Sequence, residues 1–160
     1  MIYDTNLSDN YVTEDIQAHT TIENRAEKNF SFASDKSSNA SRSSIDIGTF
    51  VDKLKSMSKN YSTAKCAKSI RIALQSAGAK IVHHPVAASD WGETLKKIGY
   101  RQINPAFDNP KKGDIYIIKR TKDHTYGHIA GYSGSQWISD FKQSSYAVYK
   151  ENVEYSYYRP

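Results

Sequence analysis

The chain has 160 residues, of which 38% are hydrophobic, and a mean hydropathy of −0.69, which suits one domain with a modest core plus a polar segment. Its formal charge of +5 and pI near 9.1 favour approach to anionic polymers. No RRM, KH, helix-turn-helix or zinc-finger pattern supports a nucleic acid as that polymer. One cysteine excludes an intrachain disulfide, no apolar run approaches a membrane span, and the N-terminus shows neither the basic nor the apolar region of a Sec signal. The 12 tyrosines, concentrated in the second half, suit an open cleft for a polar polymer, because each buries a ring and keeps a wet hydroxyl.

Residues 1–44 are polar and poor in aliphatics, and Ser31 to Ser44 holds seven serines. This composition predicts a flexible arm, leaving residues 45–160 as the folded domain. Ile47, Phe50, Val51, Leu54 and Met57 recur at helical spacing, so a first amphipathic helix is expected to end near Asn60. Cys66, Ile70, Ala73, Leu74 and Ala77 form the stripe of a second helix, capped by Ser62 and closed by Gly78. A short third helix covers Trp91, Leu95 and Ile98, started by Ser89 or Asp90 and stopped by Gly99.

The pattern then switches to strands. Ile115–Ile118 follows the turn Lys111-Lys112-Gly113-Asp114. His128–Tyr132 and Gln136–Ser139 pair across the turn Ser133-Gly134-Ser135. Ala147–Tyr149 and Val153–Tyr158 supply a fourth and a fifth strand. Helices followed by an antiparallel meander make an α+β domain.

Cys66 falls in the first turn of its helix, where the dipole and free N–H groups favour a thiolate. His128 follows 62 residues later and Asp140 another 12, a nucleophile, base and imidazole-orienting carboxylate in chain order. In this reading the Cys66 amide stabilises the oxyanion. Tyr61, His124, Tyr126 and Trp137 are candidates to line the cleft, and His124 is the second choice for the base. His83-His84-Pro85 has no Cys or carboxylate at ligand spacing, so no metal and no cofactor is expected. Each residue taken singly has a bland reading: a small buried thiol, a structural histidine, a turn aspartate, packed aromatics.

The string Lys65-Cys66-Ala67-Lys68-Ser69-Ile70-Arg71-Ile72-Ala73-Leu74 resembles the nucleophile helix of CHAP and NlpC-type cysteine amidases. Pro110-Lys111-Lys112-Gly113-Asp114-Ile115 resembles their Pro-x-x-Gly-Asp strand entry. Tyr126-Gly127-His128-Ile129-Ala130 resembles their histidine strand. Gly134 to Asp140 is similar to the segment carrying the third residue, particularly in amidase effectors of type VI secretion systems. The resemblance spans roughly residues 46–142. Some of those families carry Asn, Glu or a second His at the third position.

The resemblance implies a papain-like fold and a peptidoglycan amidase that cuts a stem or cross-link peptide through a thioester. It also implies an antibacterial effector made in the cytoplasm and acting in a rival's periplasm, with an immunity protein that plugs the cleft. Two alternatives stay open at this level: a papain-like hydrolase or deamidase acting on a host protein, and a non-catalytic wall-binding module.

Overall fold

The computed structural model describes residues 44–160, so the expected arm, apart from Ser44, lies outside the described residues. Helix α1 spans Ile47–Met57. The Asp46 carboxylate caps it by accepting the Thr49 N–H at 3.1 Å, a cap the hydrophobic stripe alone did not reveal. Its buried face is Phe50, Val51 and Leu54, as the spacing predicts. Helix α2 spans Cys66–Ser76 and buries Ile70, Ala73 and Leu74. It closes at Gly78 by paired bonds, Gly78 N–H to the Gln75 carbonyl and Ala79 N–H to the Leu74 carbonyl. The third helical segment is split: a 3-10 turn at Ala88–Asp90, then α3 at Gly92–Lys97, with Trp91 between them and no side-chain cap on either.

Among the described residues five strands form one antiparallel sheet, β1 (Arg101–Ile103), β2 (Ile115–Ile118), β3 (His128–Tyr132), β4 (Trp137–Ile138) and β5 (Tyr155–Arg159). Their spatial order is β1-β5-β2-β3-β4. Only β2-β3-β4 is a meander. β5 returns past it to pair with β2 on one side and β1 on the other. Strand β1 was not legible in the sequence, since Arg101 and Gln102 are exposed and it holds to the sheet through β5 alone. Ala147–Tyr149 forms no strand, because β5 takes the place beside β2. Tyr146, Val148 and Tyr149 pack instead, from a long loop, on one face of the sheet.

The two faces differ in kind. Ile115, Ile117, Ile129 and Ile138 point toward α1 and α2, where they join Phe50, Leu54, Ile70 and Leu74. Tyr116, Ile118, Ala130, Trp137 and Tyr157 point the other way, the period-two alternation of a strand. Asp114, fully buried at the head of β2, ties the C-terminal strand to this frame. Arg159 donates to it through Nε (2.9 Å) and Nη2 (2.7 Å), the Tyr157 hydroxyl at 2.6 Å, and the Lys111 N–H at 2.8 Å. The Gly113-Asp114 motif thus builds the sheet.

Candidate active site

Cys66 is the first residue of α2 and lies half-buried against the aliphatic core. Its N-cap position is Lys65, which makes no side-chain cap, and the expected cap, Ser62, instead accepts the Ala64 N–H at 3.4 Å. The anion at this helix start comes from the far end of the chain. Asp140 Oδ2 accepts the Thr63 N–H, the Thr63 hydroxyl at 2.8 Å and the Lys65 N–H at 3.4 Å. Between those two amides Ala64 has φ of 63°, the left-handed region. A carboxylate here and the positive end of α2 both favour an ordered first turn.

His128 opens β3 and is 6% exposed. Gly127 before it has φ of 71°, and a Cβ there would lie 2.3 Å from the Ile118 carbonyl oxygen and 3.0 Å from the Ser89 Cβ. The Gly-His pair is therefore a requirement of the backbone. On the ring, Nε2 lies 2.8 Å from Gln143 Oε1. The orientation of that amide follows from its other end: Gln143 Nε2 donates to the Ser145 carbonyl and to the Tyr116 hydroxyl, both at 3.0 Å. A carbonyl only accepts, so the Gln143 oxygen faces the imidazole, and His128 Nε2 carries the hydrogen. Tyr116 completes the chain by donating to the Tyr146 carbonyl at 2.8 Å. Every link is satisfied, and the neutral imidazole is left with its lone pair on Nδ1, the form a general base needs.

Burial holds the His128 pKa below its ordinary value, and His124 adds to that; the Gln143 bond and the Asp140 charge work against it. Helix α2 packs on β3. Cys66 lies near enough to Tyr116 and Tyr149 to help raise the pKa of both, and these rings flank His128 at 6.2 and 6.1 Å. Burial, with Cys66, Glu151 and Asp140 nearby, pushes the Tyr149 pKa up to about 12, so its hydroxyl stays protonated and donates to the Gly127 carbonyl at 3.1 Å.

Asp140 was expected to orient the imidazole. Instead Gln143, which the sequence reading did not single out, makes that hydrogen bond, and the Asp140 carboxylate binds the loop before Cys66. The reason is positional: Asp140 lies two residues past β4 and faces the α1–α2 connection, whereas the chain must advance three more residues to reach His128. A buried glutamine two residues before Ser145 has no motif signal, and only its bonds reveal it.

The remaining candidates separate. His124 stacks flat on Tyr149, centroids 3.6 Å apart, with Nε2 3.6 Å from Glu151 Oε1, so it reaches the site through Tyr149. Tyr61 is 65% exposed in the loop before α2. Tyr126 is half-buried, and its carbonyl accepts the Ser89 N–H, docking the loop on the 3-10 turn. Trp137 is buried on the aromatic face against Tyr116, Phe107, Tyr132 and Tyr157, and with Gln143 it lines an open groove on that side. His84 tilts against Trp91, whose Nε1–H donates to the Pro85 carbonyl. Among the described residues no cluster of three or more His, Cys, Asp or Glu side chains could hold a metal ion.

The site thus defined is a helix-borne thiol and a strand-borne, tautomer-fixed imidazole on an antiparallel α+β frame. No family model and no curated relative matches the chain. Among solved structures it is similar to the type VI effector Tae3 in its complex with the immunity protein Tai3 from Ralstonia pickettii. The native complex aligns at 29% identity and a TM-score of 0.61, covering 71% of this chain and 97% of that one. The selenomethionine form aligns at 29% identity and 0.60, covering 69% and 99%.

Proposed function

We propose that the chain is a cysteine-dependent peptidoglycan amidase of papain-like CHAP/NlpC type, delivered as an antibacterial effector by a type VI secretion system. It acts in the target periplasm, and the producing cell makes an immunity protein that occupies the cleft. The observation that carries this reading is a buried His128 whose Nε2–H is bound by Gln143, leaving the Nδ1 lone pair for proton transfer, on the strand against which the Cys66 helix packs. The likeness to Tae3 supports the effector and immunity-protein parts.

In this mechanism His128 Nδ1 takes the proton of the Cys66 thiol. The thiolate attacks the amide carbon, and the first-turn amides of α2, that of Cys66 included, hold the oxyanion. As the C–N bond breaks, the imidazolium gives its proton to the leaving amine, leaving a thioester. Nδ1 then deprotonates a water, which attacks the thioester carbon, and the thiolate departs with the freed carboxyl product released. Gln143 keeps the ring in register through both proton transfers.

Mass spectrometry of muropeptides from diaminopimelate-type sacculi tests the reading. New amine and carboxyl termini with wild type and none with Cys66→Ala are expected, and the fragment masses name the bond. Cleavage that survives Cys66→Ala, or none with wild type, overturns it.

A further inference from the structure

We propose that Asp140 is a positioning residue for the nucleophile, locking the turn that aims Cys66, and that it serves this role through one oxygen. The proposal rests on the reading of Cys66 as the nucleophile. Three donors from the four residues before Cys66 converge on Oδ2: the Thr63 amide, the Thr63 hydroxyl and the Lys65 amide. The other oxygen, Oδ1, is buried and has no hydrogen-bond partner among the described residues. Ala64 sits between the two amides in the left-handed region, a conformation an alanine holds only when its surroundings impose it. Successive N–H groups around a left-handed residue form an anion-binding concavity, here filled by a carboxylate of the same chain.

Asp140 is itself anchored. Its carbonyl accepts the Lys59 N–H at 2.9 Å, and the Lys142 N–H donates to the Lys59 carbonyl at 2.9 Å, stitching the exit of α1 to the end of β4. The segment between α1 and α2 is thus held at both ends by residues 140–142. The position of Cys66 relative to β3, and hence to His128, is set through this stitch as well as through the packing of α2.

The one-oxygen geometry separates this role from that of a charged partner for the imidazole. In Asp140→Asn the amide oxygen takes the place of Oδ2 and keeps all three donors, while the NH2 takes the unbonded place of Oδ1. A carboxylate that orients a catalytic imidazole does not tolerate this change, which costs about 10⁴-fold in kcat in a serine-protease triad.

The test measures amide hydrogen exchange at Thr63 and Lys65, the pH profile of Cys66 alkylation by iodoacetamide, and hydrolytic kcat and KM, in wild type, Asp140→Asn and Asp140→Ala. Asp140→Asn is expected to keep both amides protected, to move the alkylation profile only as far as loss of the Asp140 charge felt by His128 requires, and to retain kcat within about 10-fold. Asp140→Ala is expected to speed exchange at both amides at least 100-fold, to move the alkylation profile, and to lower kcat with KM little changed.

Should Asp140→Ala not fold, Thr63→Val, which removes only the hydroxyl donor, is expected to give smaller shifts in the same directions. Equal damage from Asn and Ala, or unchanged exchange in the variant that loses Oδ2, overturns the proposal. Exchange and alkylation need no substrate. A wild type that cuts nothing while these two readouts follow Asp140 therefore sinks the amidase reading and leaves the positioning role standing.

Discussion

The two faces of the sheet do different work with different chemistry. The face toward α1 and α2 is aliphatic, closed by Phe50, Leu54, Ile70 and Leu74 with no exposed atom among them to speak of. The opposite face is aromatic, and its rings carry hydroxyls that donate to fixed acceptors: Tyr116 to the Tyr146 carbonyl, Tyr149 to the Gly127 carbonyl, Tyr157 to the Asp114 carboxylate. The aliphatic face gains from area alone, about 1.5–3 kcal/mol per buried large side chain, and specifies little beyond fit. The aromatic face adds directional bonds, and these decide which nitrogen of His128 carries the hydrogen. Stability and site geometry are thus assigned to opposite sides of one sheet, with Cys66 packed against the aliphatic core and His128 flanked by Tyr116 and Tyr149 of the aromatic side.

The contrast can be broken most severely from the aliphatic side. Phe50→Ala is expected to lower unfolding free energy by about 3–5 kcal/mol in urea titration, because a fully buried ring leaves a cavity. The folded fraction should keep its kcat per molecule. From the aromatic side the outcome inverts. Gln143→Ala is expected to lower kcat about 10²-fold, within the range a general base contributes. Its stability cost is about 1–3 kcal/mol, from the buried His128 Nε2–H left without an acceptor. Imidazole nitrogen chemical shifts would report the mixed tautomer directly. A Gln143→Ala enzyme with full kcat would refute the division between faces.

The smallest effect is in pH. His128 is buried neutral with its pKa depressed, so the unfolded chain takes the proton first as pH falls below about 6.5. Stability is unaffected above that value. It is lost below it, at no more than about 1.4 kcal/mol per pH unit, until the folded-state pKa is reached. The stability difference between wild type and His128→Ala should therefore shrink from pH 7 to pH 5 in parallel denaturant titrations. A difference independent of pH would mean that the folded protein protonates His128 as readily as the unfolded chain does.

Periodicity made α1 and α2 readable because each has one unbroken apolar stripe, and Gly78 closes α2 where the sequence places it. Strands β2 and β3 were equally plain, being apolar runs next to turn residues. Strand β1 was not, since three residues held by a single neighbour leave no burial pattern to read. Cys66 and His128 could be singled out because thiol and imidazole are rare here and each sits at the start of an element. Gln143 could not, because an amide in a polar loop looks like any other until its two ends are seen bonded. Asp140 was picked by chain order, which says that a carboxylate is near but not which donors it meets.

By itself, then, the sequence determined the first two helices and the strands β2 and β3, through apolar spacing, and which side chains can do nucleophilic and proton chemistry, through residue type. Only the tertiary structure decided the insertion of β5 beside β2, the partner of the imidazole and the use of Asp140. Those depend on long-range pairings, 15 residues from His128 to Gln143 and 77 from Thr63 to Asp140, and hydrogen-bond direction has no trace in local periodicity.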